Sequence, residues 1–175
     1  MTIQQGFALW LTGIPASGKS AITRALVKKL EIREVPVVVL ESDGVRKILT
    51  PEPIFSQEER DDFYRSLTLI GELITRNGVN VIFDATANKR IYREYARTLI
   101  PRFVEIFVTC PLDVCMQRDP KGIYRLATKG KTNTVPGIQS PYEPPVKPDI
   151  TLDGRNPPEA SADIVLKHLK YLLYI

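Results

Sequence analysis

At 175 residues, with 43% apolar and 25% charged residues, the chain has the size and balance of one globular domain with a sizeable core. A formal charge of +4 and a pI near 9.1 suit small anionic substrates and exclude the dense Lys/Arg face that a nucleic-acid polymer needs. No apolar run approaches the roughly 18 residues of a membrane span, and Met1-Thr2-Ile3-Gln4-Gln5 lacks the basic start of a signal peptide. A cytoplasmic chain with no membrane partner is expected.

Phe7-Ala8-Leu9-Trp10-Leu11 predicts a first strand. Gly13-Ile14-Pro15-Ala16-Ser17-Gly18-Lys19-Ser20 follows and fits G-x-x-x-x-G-K-[ST] at every fixed position. From Ala21 onward, Ile22, Ala25, Leu26 and Leu30 recur at helical spacing. Strand, glycine loop and helix in that order give the motif its physical meaning. The glycines let successive N–H groups converge on phosphate oxygens at the positive end of the helix. Lys19 sets a point charge against the β/γ-phosphates, and Ser20 offers a hydroxyl to Mg²⁺. Gly13 through Ala21 is therefore the predicted ATP-binding segment.

Pro36-Val37-Val38-Val39-Leu40 predicts a second strand, too uniformly apolar to have a wet face. Ser56 to Asn77 predicts a long helix, opened by a Ser56/Glu59 capping box and closed at Asn77-Gly78. Val79–Phe83 predicts a third strand, residues 89–100 a helix stopped by Pro101, and Phe103–Val108 a fourth strand. A short helix runs from Pro111 through Arg118. Residues 119–148 are rich in proline, glycine and basic residues with little periodicity, which predicts an irregular lid. Asp149–Asp153 predicts a fifth strand, and Asn156-Pro157-Pro158 starts a final helix to about Tyr174. Alternating units with apolar strands predict an α/β fold, a parallel five-stranded sheet covered by helices on both faces.

Ligands of such sheets sit beyond the carboxyl ends of the strands. Besides the phosphate loop, that edge receives Asp43, three residues past the second strand, and Asp84, ending the third. Asp84 is placed to hold a Mg²⁺-bound water, or to cap the turn after its strand. Asp43 is placed to polarise an acceptor hydroxyl or assist the metal, or to cap a helix starting near Gly44. Arg46, Arg60 and Arg65 together read as a clamp for an anionic acceptor. Cys110 and Cys115 are too few for a disulfide framework and read as reduced packing residues. His168, the sole histidine, lies in the final helix and reads as structural, which leaves catalysis to carboxylates, basic residues and metal.

The segment Cys110-Pro111-Leu112-Asp113-Val114-Cys115-Met116-Gln117-Arg118-Asp119-Pro120-Lys121-Gly122-Ile123-Tyr124, with Gly137-Ile138-Gln139-Ser140-Pro141-Tyr142-Glu143-Pro144-Pro145, resembles the adenylylsulfate kinase family. Its pattern there is close to P-L-E-V-C-x-x-R-D-P-K-G-L-Y and T-G-I-D-S-P-Y-E-x-P. With the phosphate loop, the resemblance covers nearly the whole chain. It implies a P-loop kinase fold and Mg²⁺-dependent transfer of the γ-phosphoryl of ATP to the 3′-hydroxyl of adenosine 5′-phosphosulfate. A homodimer is implied as well. The motif and strand-end readings make Lys19, Asp43 and Asp84 the catalytic candidates, and the resemblance puts Arg118 near the ATP adenine. The resemblance puts Asp43, Arg46, Arg60 and Lys121 on the acceptor, with Phe55 packing on its adenine. Thr86, Ala87 and Val135 complete that side.

The chain departs from the family at several of these places. Glu41-Ser42-Asp43-Gly44 stands for D-G-D-N, Phe63 for a substrate-binding asparagine, and Ser66 for the second arginine of R-R. Val135 and Pro136 replace Phe-Thr, and Ala87 replaces a serine. Asp84-Ala85-Thr86-Ala87-Asn88 is closer to the D-A-T-N of a broader group of P-loop kinases. Two alternatives follow: a P-loop kinase with another nucleotide or small alcohol as acceptor, and a nucleotide-gated switch without transfer.

Overall fold

Five strands, each hydrogen-bonded in parallel to its neighbours, form one sheet in the order β2-β3-β1-β4-β5. They are β1 Ala8–Thr12, β2 Val37–Glu41, β3 Asn80–Asp84, β4 Phe103–Thr109 and β5 Ile150–Asp153. The structure, a computed structural model, describes residues 4–175. Met1-Thr2-Ile3, part of the segment read for a signal-peptide start, lies outside the described residues. β1 is central and fully buried, which is why it carries no polar residue before Thr12. The helices are α1 Lys19–Glu31, α2 Ser42–Leu49, α3 Gln57–Arg76, α4 Arg90–Leu99, α5 Leu112–Arg118, α6 Ile123–Thr128 and α7 Pro158–Tyr171.

Two cores flank the sheet, because successive strand side chains point to opposite faces. Leu9 and Leu11 of β1 pack with Ile22 and Leu26 of α1 and Val165 and Leu169 of α7. Ala8 and Trp10 pack on the other face with Phe63 and Leu67 of α3 and Tyr92 and Ala96 of α4. Trp10 and Phe83 stack with ring centroids 4.4 Å apart. Among the described residues, no helix is long and apolar enough to cross a membrane.

Three features differ from the sequence reading. β2 is an edge strand, and Val38 and Val39 are 37% and 38% exposed, so its uniform apolarity did not exclude a wet face. The covering helices α1 and α3 pack chiefly on the inner strands β1 and β3. Second, a helix, α2, begins directly at Ser42, with extended Glu41 as its N-cap residue. Third, residues 119–148 are not wholly irregular. They contain α6, and Tyr124, Ala127 and Val135 form a small buried cluster with Cys115, flanked by Ile14 and Ala16 of the phosphate loop. Ile123, Tyr124 and Ala127 carried the helical spacing, but Gly122 and Gly130 on either side masked so short an element.

Candidate active site

The phosphate loop is built at the point where the sheet order reverses around β1. Gly13 leaves β1 at φ 154°, and any Cβ there would lie 2.5 Å from the Val108 carbonyl oxygen. Gly18 caps α1 at φ 112°, a left-handed conformation that L side chains rarely adopt. The loop so formed aims the N-terminus of α1 into a cavity of about 900 Å³. The Lys19 ammonium folds back on the loop and donates to the carbonyl oxygens of Gly13 and Ile14, both at 2.9 Å. Burial brings its pKa down to about 8, and the nearby Asp84 carboxylate opposes that fall. Ser17 Oγ is buried with no partner in the protein. An anionic ligand oxygen entering the cavity would meet the Lys19 ammonium, whereas Ser17 Oγ, fully buried, lies outside the cavity lining.

Pro15, Ala16, Gly18, Lys19, Ser20 and Ala21 line the cavity, together with Asp43, Arg46, Phe55 and Arg60. Asp84, Thr86, Arg118, Lys121 and Val135 complete the sequence-predicted part of the wall. Gly13, Ile14 and Ser17 shape the loop from behind. Ala87 is fully buried and outside the lining, so its side chain does not face the cavity. Arg65 also stays apart: it is 63% exposed and pairs with Asp62 at 3.5 Å. Arg60 and Arg65 are five positions apart on α3, and at 3.6 residues per turn that spacing faces them in different directions.

Another part of the wall is a cationic cluster resting on aromatic rings. The Arg46 guanidinium lies 3.7 Å from the Phe63 ring centroid and 5.2 Å from that of Phe55, with Glu59 Oε1 at 3.3 Å. Burial lowers the Arg46 pKa from its ordinary value. Arg60 donates to the carbonyl oxygens of Phe55 at 3.1 Å and Thr134 at 2.8 Å, joining α3 to the segment after α6. Phe63, standing where the resemblance expects asparagine, is thus the floor under Arg46, a role its helical spacing from Arg60 signals. Lys121 ion-pairs with Asp43 and lies 3.6 Å from Glu41 Oε1. Burial works against its charge, but the Asp43 hydrogen bond and the charges of Asp43 and Glu41 raise its pKa overall.

Sequence reasoning missed the cavity's other end. Gly154, Arg155, Asn156, Pro157 and Pro158 line it beside Arg118. Arg118 Nη1 donates to the Gly154 carbonyl at 2.9 Å. A Cβ on Gly154 would fall 1.7 Å from the Ser17 carbonyl oxygen, so only glycine lets β5's exit approach the phosphate loop. The strand-end rule that selected Asp43 and Asp84 applies equally to β5. Ser20 and Asp84 contribute a hydroxyl and a carboxylate to the same wall. No group of three or more His, Cys, Asp or Glu residues suited to a metal ion occurs among the described residues.

A parallel sheet in this order, a Gly-rich loop opening α1 and a carboxylate at the end of β3 define a P-loop kinase. The family model for adenylylsulphate kinase matches residues 5–153. The adenylyl-sulfate kinase of Gloeothece citriformis is 45% identical over 147 residues, 84% of this chain and 84% of that protein. The probable adenylyl-sulfate kinase of Pyrococcus abyssi is 38% identical over 172 residues, 98% of this chain and 99% of that one. Among solved structures, the Mycobacterium tuberculosis APS kinase CysC in complex with AMPPNP and APS superposes with a TM-score of 0.90. The two are 31% identical, with 95% of this chain and 98% of that chain covered. The chain belongs to the adenylylsulphate kinase family.

Proposed function

We propose that the chain transfers the γ-phosphoryl of ATP to the 3′-hydroxyl of adenosine 5′-phosphosulfate, giving 3′-phosphoadenylyl sulfate and ADP, as a step of sulfate assimilation. The observation that carries the proposal is the likeness to a kinase structure holding AMPPNP and APS, over 95% of this chain. The cationic, ring-floored wall opposite the phosphate loop agrees with it, since an acceptor with phosphate, sulfate and adenine needs charge and stacking together. The chain acts as one kinase domain, with residues 119–148 as its lid.

In this reading the 3′-oxygen attacks the γ-phosphorus while the bond to the β–γ bridging oxygen breaks and ADP leaves. The proton of the 3′-hydroxyl passes to Asp43, which exchanges its Lys121 partner for the acceptor. Lys121, Arg46 and Arg60 bind the acceptor's anionic groups, and Lys19 neutralises charge on the transferring phosphoryl. Arg118 borders the ATP adenine. Ser20, and Asp84 through water, would hold Mg²⁺, which would supply charge neutralisation on the phosphates. The hydroxyl and carboxylate oxygens of that wall suit a hard cation that keeps several waters. We further propose a cytoplasmic homodimer, which light scattering on the purified chain tests.

The decisive assay measures ADP formation with ATP and Mg²⁺ against a panel of acceptors: adenosine 5′-phosphosulfate, other nucleotides and small alcohols. Strong stimulation by adenosine 5′-phosphosulfate alone, with a 3′-phosphorylated product, supports the proposal. Preferential stimulation by another acceptor overturns it, and hydrolysis that no acceptor stimulates favours a switch.

A further inference from the structure

Arg93 of α4 is 1% exposed, and none of the roles above uses it. Its Nε donates to Glu105 Oε1 at 2.7 Å, which anchors the head to β4. Its Nη1 donates to the carbonyl oxygen of Ala87 and, at 3.2 Å, to that of Lys89. Its Nη2 donates to the Glu143 carbonyl at 2.6 Å. One buried fork therefore joins two segments far apart in sequence: the exit loop of β3, residues 84–88, and the return limb of the lid, residues 141–143.

Further bonds tie the same two segments. The Glu143 N–H donates to the Asn88 carbonyl at 2.7 Å, Asn88 Nδ2 donates to the Pro141 carbonyl at 3.1 Å, and the Arg90 N–H donates to Glu143 Oε2 at 2.9 Å. Tyr142 hydroxyl and Thr12 Oγ1 lie 3.0 Å apart, and Thr12 Oγ1 bonds the Thr86 carbonyl at 2.6 Å. Ala87 itself sits at φ 43°, a left-handed conformation costly for a residue with a Cβ. Its N–H donates to the Tyr64 hydroxyl at 3.0 Å, while its carbonyl is the Arg93 acceptor. Such a conformation persists only where its surroundings over-determine it, and it clusters where a site must be preorganised. Thr86, the residue before it, lines the cavity wall beside Asp84.

We propose that Arg93 is a positioning residue for the acceptor side: it locks the Asp84–Asn88 loop and the lid's return limb into one frame, so that Thr86 and the lid meet the acceptor together. The proposal rests on the kinase reading above. Lysine at this position keeps the charge that faces Glu105 but has one nitrogen, which cannot bond Ala87, Glu143 and Glu105 as the planar fork does. Arg97 supplies the control. It pairs with the same Glu105 at 3.6 Å and with Asp149 at 2.7 Å, and neither of its ion-pair partners belongs to the two segments.

The test compares Arg93→Lys with Arg97→Ala in the full chain. Arg93→Lys is expected to lower kcat/KM for the acceptor by about 10²-fold, the size of effect small misplacements produce, while ATP affinity stays as in the wild type. Amide exchange is expected to quicken at Ala87, Arg90 and Glu143 and to stay unchanged in the sheet. Arg97→Ala is expected to lower the melting temperature without either effect. Wild-type acceptor kinetics in Arg93→Lys, or the same changes in Arg97→Ala, overturns the proposal. If the wild-type chain fails to phosphorylate adenosine 5′-phosphosulfate, the substrate reading falls. The exchange pattern then decides alone: quickening confined to those amides supports the lock, and uniform or no quickening refutes it.

Discussion

Replacing Lys19 by methionine separates what this side chain does for activity from what it does for stability. Lys19 is 8% exposed, and burial takes its pKa from the usual 10.5 to about 8. That difference corresponds to about 3 kcal/mol against keeping the charge in the folded state. Methionine keeps the apolar stem and removes the charge, but it forgoes two hydrogen bonds to loop carbonyls, worth about 1 kcal/mol net apiece. Near pH 7, Lys19→Met is therefore expected to be as stable as the wild type or about 1 kcal/mol more stable. Between pH 8 and 10.5 the unfolded wild-type chain still holds a proton that the folded chain has released. Wild-type stability accordingly rises through that window relative to the variant, and the difference moves by about 3 kcal/mol toward the wild type. Turnover moves oppositely, falling by at least about 10²–10³-fold, as when one preorganised donor to a transition state is deleted. Urea unfolding at pH 7 and pH 10, with ADP-release kinetics, reads both. A folded variant with near-normal turnover, or one severely destabilised at pH 7, refutes this account of the loop.

The two aspartates should separate kinetically. Asp43→Asn is expected to cut acceptor-dependent transfer by about 10²-fold, the low end of general-base effects because phosphoryl transfer is loose, leaving acceptor-free hydrolysis nearly intact. Asp84→Asn should depress both activities and raise the Mg²⁺ requirement; the reverse pattern in a Mg²⁺ titration means the two roles are exchanged. Residues 119–148 should become protected from proteolysis when both nucleotides bind, as a closing lid requires, whereas equal cleavage with and without them means a fixed loop. Lys121→Ala should raise acceptor KM while changing unfolding free energy by no more than about 1 kcal/mol, because the pair it loses is half-exposed. A large drop in stability would show that this contact holds the free protein together.

The elements that were legible in the sequence are those whose pattern reflects one local rule. The phosphate loop is such a case, since glycine geometry, lysine charge and the following helix are all local. So is α3, whose Ser56 Oγ accepts from the Glu59 N–H at 3.2 Å while Gly78 closes the chain at φ 85°. What stayed hidden depends on contacts distant in sequence. Val38 and Val39 look like core until the sheet order puts them on an edge. Val135 reads as a replaced stacking ring, but it also packs with Tyr124 and Cys115, from two short helices with no strong period of their own. Within the site, Asp43 and Asp84 were legible from strand ends, whereas the Lys121 partner of Asp43 lies 78 positions away. Phe63 under Arg46, Gly154 against Ser17 and the Arg93 fork likewise follow from packing.

The central claim is that a 3′-hydroxyl is delivered to the γ-phosphate across this cavity. A crystal structure of the chain with a non-hydrolysable ATP analogue, Mg²⁺ and adenosine 5′-phosphosulfate tests it most directly. The account predicts triphosphate in the Gly13–Ser20 loop, adenine against Phe55, and the 3′-oxygen in line with the γ-phosphorus within hydrogen-bond reach of Asp43. An acceptor bound with its 3′-oxygen turned away from the γ-phosphate, or with Asp43 still paired to Lys121, would contradict it.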